Sequence, residues 1–229
     1  MKIGSLQKVS LIDYPGKISA TVFAQGCNFA CPYCHNPELV DPGSYGNCLP
    51  DEEVLSYLEK RKGKLEAVTI TGGEPSLQPD LLSFAKDVKA LGYLIKLDTN
   101  GSRPETLYQL LSEKLLDYIA MDIKAPLSKY KAVTRAPVSS GTIRKSIEMI
   151  MSSGIGYEFR TTVVASLLNV ADLLTIGRLI KNAPLYVMQR YVPSKPLDKN
   201  FLHETTLSTE EFAAARKALA GKIGAVAIR

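Results

Sequence analysis

"ISATVFAQGCNFACPYCHNP" (Ile18–Pro37) carries the decision about the fold. Its first part, Ile18–Gly26, is apolar and β-branched and reads as a buried strand. Its second part sets Cys27, Cys31 and Cys34 at spacings of four and three, with His35 directly after. Only one other cysteine, Cys48, occurs in 229 residues. A strand that runs into such a loop puts metal or redox chemistry at a strand end.

Working outward, the same rhythm repeats. "PDEEVLSYLEKR" (50–61) reads as a helix with an acidic first turn and Val54, Leu55 and Leu58 on one face. "EAVTIT" (66–71) is a short buried strand that ends at "GGEP" (Gly72–Pro75). An amphipathic helix over 79–92 is closed by Gly92. "YLIKLDTNG" (93–101) and "LDYIAMDIKAP" (116–126) are strands, with a helix between them that has Pro104 in its first turn. Further strands are expected at 157–164 and 185–193, and "GAVAIR" (224–229) closes the chain. Helices are expected over 139–154, 169–183 and 208–221, the last capped at Ser208 or Thr209. Six or seven strands alternating with helices predict a mostly parallel sheet with right-handed crossovers. No linker divides the chain, so a single domain over 1–229 is expected, with Val192–Thr206 as its longest loop.

On this map the unusual residues fall in one place. The cysteines follow the first predicted strand, Gly72–Pro75 the second, Asp98 and Thr99 end the third, and Asp122 and Lys124 end the fourth. Arg160 and Gln189 lie in the fifth and sixth. In parallel α/β barrels, sites are built at the C-terminal rim of the strands. The topology therefore gathers residues that are scattered along the chain.

Composition narrows the classes. Apolar residues make up 45% and charged residues 22%, the balance of a globular protein able to bury a core without disulfide staples. The N-terminal stretch lacks the apolar run of a signal peptide, and no apolar run is long enough to span a bilayer. A cytoplasmic, reducing location is the expectation, and there clustered cysteines serve metal or redox chemistry. The net charge of +5 is mild and no dense basic block occurs, so neither nucleic acid nor membrane is an expected partner.

Structural zinc wants four ligands, usually in two pairs, and Cys31 with Cys34 makes only one such pair. His35 is awkwardly placed to ligate together with its neighbour Cys34, and Cys48 stands apart. An iron–sulfur cubane fits better. Three thiolates would hold three irons and leave the fourth open for a ligand. Arg160, in a strand that should be buried, needs a carboxylate or an anionic ligand as partner.

"CNFACPYC" (Cys27–Cys34), with Tyr33 before the last cysteine, resembles the cluster loop of the radical S-adenosylmethionine (SAM) superfamily, and "GGEP" resembles that superfamily's second signature. The resemblance implies a partial (β/α)6 barrel. It implies a [4Fe-4S] cluster on Cys27, Cys31 and Cys34, and SAM bound to the open iron. Tyr33 would lie near the adenine, and Gly72, Gly73, Glu74 and Pro75 near the amino group. Lys124 would meet the SAM carboxylate, with Arg160 and Gln189 also on the cofactor. "CPYCHNPE", "LDTNG", "MDIKA" and "SLIDYPGK" are similar to motifs of the glycyl-radical-enzyme activating enzymes, with Tyr14 where that group has glycine. That likeness implies a monovalent cation near Asp98, Thr99 and Asp122. It also implies a glycyl-radical partner such as an anaerobic ribonucleotide reductase, and flavodoxin or ferredoxin as electron donor. No auxiliary clusters are expected, since a single cysteine separates Cys34 from "GGEP". A radical SAM enzyme acting on a small molecule, of the deazaguanine-forming type, is the alternative, and a zinc-bound interaction module a third. His35 is expected to pack or to hydrogen-bond near the cluster, His203 to be exposed, and Cys48 to be a free thiol.

Overall fold

The alternation of strands and helices is realised. In the computed structural model, which describes residues 1–229, eight strands lie side by side in chain order. They are β1 (Ile3–Ser10), β2 (Ser19–Ala24), β3 (Ala67–Gly72), β4 (Leu94–Thr99), β5 (Tyr118–Asp122), β6 (Gly156–Val163), β7 (Leu185–Arg190) and β8 (Ala225–Ile228). From β2 to β8 all pairings are parallel. The short α1 (Pro37–Val40) and α2 (Asp51–Lys60) connect β2 to β3, α3 (Leu81–Ala90) connects β3 to β4, and α4 (Pro104–Ser112) β4 to β5. Then α5 (Tyr130–Thr134) and α6 (Ser140–Met151), α7 (Val170–Leu179) and α8 (Thr209–Leu219) serve the last three crossovers. The result is a partial (β/α)6 barrel whose sheet has two free ends, β1 and β8.

β1 was not among the expected strands. It pairs antiparallel with β2, and most of its residues face solvent in whole or part. "IGSLQKVS" has no apolar alternation to announce a buried face. It is held by its ladder to β2, not by a core. The loop after it folds under the barrel. Ser10 Oγ accepts from the Ile12 and Asp13 amides, and Asp13 accepts from Thr21 Oγ1 at 2.7 Å. Tyr14 is buried, its ring 6.0 Å from that of Tyr118 at the start of β5. Tyr14 therefore fills the barrel floor where a glycine would leave a hole.

The helices start and stop where their chemistry directs. Asn169 and Ser208 each make a capping box, with Asp172 and Glu211. α4 begins on Pro104, and Gly92 turns away from α3 at φ +91°. Alternate residues of each strand point to opposite faces. Ile70, Leu97, Ile119, Phe159 and Met188 join the aliphatic layer under the helices, with Phe84, Leu107 and Ile147. The other face carries Thr69, Thr71, Lys96, Asp98, Asp122, Glu158 and Arg160. The barrel interior is thus polar and charged, where parallel barrels usually pack branched aliphatic side chains. Such groups stay buried only when paired.

Candidate active site

A cavity of about 260 Å³ opens at the C-terminal ends of the strands. Cys27, Cys31 and Cys34 line it, together with Tyr33, Gly72, Gly73, Glu74, Asp98, Thr99, Asp122, Lys124, Arg160 and Gln189. Pro75 is not on its wall; it is buried at the start of the short 3-10 turn Pro75–Leu77.

The cysteine loop is seated from several sides. Phe29 is buried with its ring edge-on to Tyr130 at 6.3 Å, and the Ala30 amide donates to the Thr134 carbonyl. Within the loop the Cys34 amide donates to the Cys31 carbonyl, and the Phe29 amide points at Cys27 Sγ at 3.4 Å. The long loop after β7 clasps it from outside. The amides of Leu197 and Asp198 donate to the carbonyls of Cys34 and Pro32. Arg135 pairs with Asp198, and Lys195 with Glu38. His35 stacks on Tyr191 with ring centroids 5.4 Å apart, and its Nε2 lies 2.9 Å from the Val192 carbonyl. It packs, as expected. His203 is exposed. Cys48 is exposed, hydrogen-bonds Gln25, and lies off the cavity wall.

Gly72 and Gly73 are required by the neighbouring strand. A Cβ on Gly73 would stand 2.2 Å from the Gly26 carbonyl oxygen, and one on Gly72 2.5 Å from backbone atoms of Ala24. The close approach lets the amides of Gly73 and Glu74 donate to the carbonyls of Ala24 and Gly26. It ties the second motif directly to the root of the cysteine loop. Glu74 is fully buried and accepts from the amides of Ser76 and Asn100 and the hydroxyls of Ser76 and Thr99. Burial raises its carboxyl above the usual range, against the pull of these donors. It is a brace between the ends of β3 and β4.

Three carboxylates, Asp98, Asp122 and Glu158, and three cations, Lys96, Lys124 and Arg160, fill the barrel interior. Arg160 spans Asp122 (2.9 Å) and Asp98 (3.1 Å) and lies 4.0 Å from Glu158. Lys124 Nζ pairs with Asp122 at 3.0 Å, Lys96 Nζ with Asp98, and Arg229 with Glu158. Burial alone would raise the Asp122 carboxyl, but the Arg160 and Lys124 charges outweigh it and hold it well below the usual range. The carboxylate partners expected for Arg160 are Asp122 and Asp98. The oxygens expected to face a monovalent cation are engaged by the protein's own groups: Asp98 and Asp122 by three side-chain cations, Thr99 Oγ1 by Glu74. Lys96 escaped the reading of the sequence. Its signal was a lysine two positions before Asp98 in an otherwise apolar strand, hence on the same face. Asn100 was missed too. Its amide nitrogen reaches Asn28 Oδ1 at 3.0 Å and approaches Cys27 Sγ at 4.0 Å.

The donor set fits a cubane cluster. No three or more His, Cys, Asp or Glu side chains stand close enough together to hold a single metal ion. A cubane takes one thiolate at each iron corner, so its ligands stand apart. The Tyr33 hydroxyl is buried beside the cysteines with no hydrogen-bond partner, a donor at the cavity wall awaiting an acceptor.

Comparison with known proteins agrees with this geometry. Residues 21–176 match the family described as the Radical SAM superfamily. A protein of Methanocaldococcus jannaschii, provisionally named a glycyl-radical enzyme activating enzyme, is 33% identical over 204 residues, spanning 87% of this chain and 83% of its own. The pyruvate formate-lyase-activating enzyme of Clostridium pasteurianum is 31% identical over 189 residues, 79% of this chain and 76% of its own. Among solved structures, Streptococcus suis SuiB bound to precursor peptide SuiA shares the fold with a TM-score of 0.70 at 13% identity, over 90% of this chain and 47% of that one.

Proposed function

Because the chain belongs to the radical SAM superfamily, we propose that Cys27, Cys31 and Cys34 hold the family's [4Fe-4S] cluster and that the adjoining cavity takes SAM. When bound, these cofactors supply a one-electron cleavage of a C–S bond of SAM, giving methionine and a 5′-deoxyadenosyl radical. The protein's part is to bind, orient and exclude water. Lys124, steadied by Asp122, offers its ammonium to the SAM carboxylate. Tyr33 offers its unpartnered hydroxyl and ring edge, Gln189 its amide, and Gly72 and Gly73 a wall without side chains. Arg160 and Asp98 set the charge beneath. The observation that carries this reading is convergence: one loop's three thiols and the charged ends of β4, β5 and β6 line one cavity.

The finer reading is that the radical removes hydrogen from a glycine of a partner enzyme, of which anaerobic ribonucleotide reductase is one class. Support comes from the names of the two relatives and from "LDTNG", "MDIKA" and "CPYCHNPE". The unclosed sheet leaves room for a polypeptide segment. The mildly basic chain suits an acidic flavodoxin or ferredoxin as reductant in a reducing cytoplasm.

The test is anaerobic reconstitution with iron and sulfide, then dithionite and SAM, assayed for 5′-deoxyadenosine and methionine. Both products form with the wild type and neither with Cys31→Ala. A colourless protein that leaves SAM intact overturns the reading. With a candidate partner enzyme added, a glycyl-radical electron paramagnetic resonance signal supports the finer reading, and consumption of a small deazaguanine precursor instead refutes it.

A further inference from the structure

Lys96 is a lysine buried to 2% exposure in the middle of β4. Its register neighbours are Thr69 on β3 and Tyr118 on β5. An ammonium there has lost most of its hydration and must find a counter-charge. It finds Asp98, two residues on and on the same face. Asp98 lines the cavity and Lys96 does not. The ammonium thus reaches Asp98 from the barrel floor, on the side away from the cofactor. Asp98's other oxygen takes Arg160 at 3.1 Å and Thr71 Oγ1 at 3.4 Å. Asp122 takes Arg160 on one oxygen and Lys124 on the other. All four oxygens of the two acids therefore already face a side-chain cation. Three interior cations, Lys96, Lys124 and Arg160, thus engage the carboxylates of Asp98 and Asp122, and Arg160 lies 4.0 Å from Glu158 as well. A monovalent ion at these two acids would stand beside three side-chain cations already engaged with them, and would meet their repulsion in a low-dielectric setting. The residues do not fit the monovalent cation expected beside Asp98, Thr99 and Asp122.

We propose that the Lys96 ammonium is a built-in replacement for that ion, a positioning charge that holds Asp98 toward Arg160 so that this chain binds SAM without potassium or sodium. The proposal rests on the reading of the cavity as a SAM site. A fixed ammonium differs from an exchangeable ion in one measurable way: it makes SAM binding indifferent to the choice of monovalent salt.

The test is equilibrium titration of SAM into the reconstituted protein, in potassium chloride and in choline chloride at one ionic strength of about 0.1 M. The wild type is expected to bind equally in both. Lys96→Met removes the charge and keeps the length. It is expected to bind about tenfold more weakly in choline and to recover in potassium, a coupling of ordinary size. Lys96→Arg should behave as the wild type. Wild-type affinity that rises several-fold with potassium overturns the proposal, and so does a Lys96→Met loss that potassium fails to restore. If Lys96→Met does not fold, the wild-type comparison between salts decides alone. Absence of SAM binding in either salt would bring down the reading of the cavity as well. Binding that depends on potassium would bring down only the role of Lys96.

Discussion

The thiols set the first tests at the scale of single residues. Burial pushes the free Cys27 thiol up to about 12 and Cys31 up to about 11. Without metal both are protonated at neutral pH, so a cluster built on them as proposed would have to displace their protons. Cys48 is exposed. Mass-mapped alkylation of the metal-free protein at mildly alkaline pH should therefore mark Cys48 first. Modification of Cys27 or Cys31 at the same rate would contradict the burial argument. Asp122 makes a second case. Its folded carboxyl is held below its unfolded value, so its stabilising contribution is present at neutral pH. That contribution disappears as acid protonates the folded group in strongly acid solution. Asp122→Asn leaves Arg160 and Lys124 short of a counter-charge and should cost about 3 kcal/mol at neutral pH. In chemical denaturation the gap from wild type should narrow toward low pH. A gap constant with pH would show that packing, not charge, is what the variant loses.

Elements meet closely where β2 and β3 end. The root of the cysteine loop and the second motif share backbone hydrogen bonds only because Gly72 and Gly73 have no side chain. Gly73→Ala should force the two strand ends apart, because its Cβ meets a carbonyl oxygen that cannot swing aside. We expect a lowered melting temperature together with loss of iron after reconstitution. Ser208→Ala, at the cap of the distant α8, should cost about 1 kcal/mol and leave the iron in place. Equal iron retention in the two variants would show that the glycine contact does not seat the loop. The family resemblance sets these glycines near the amino group of SAM. Their tight neighbour is the adjacent strand, though both also line the cavity.

The whole molecule is an open, one-sided device. Its sheet ends in β1 and β8, its floor is filled by Tyr14, and its mouth gathers the site. No helix is long and apolar enough to cross a membrane. With only three cysteines at the cavity, the chain should carry a single cluster, about four irons per chain after reconstitution. Iron and sulfide analysis of wild type and Cys48→Ser should agree. A value near eight, or loss of iron in Cys48→Ser, would mean that a second set of ligands exists.

The sequence by itself determined the parallel α/β class, the order of the strands from Ile18 onward, and the strand ends that gather at the cavity. It also pointed to the cysteine loop as a cluster site. These are local properties. Period-two and period-3.6 patterns, capping residues and cysteine spacing each act within a few residues. What only the tertiary structure decided are the pairings between strands. Lys96 with Asp98, and Arg160 between Asp98 and Asp122, depend on which strands lie side by side and in what register. The clasp of the loop after β7 over Cys34, and the antiparallel β1 at the edge, are likewise contacts made across the fold. A strand's own pattern encodes which face is buried. Which charge on the next strand will meet its own is fixed only when the sheet assembles.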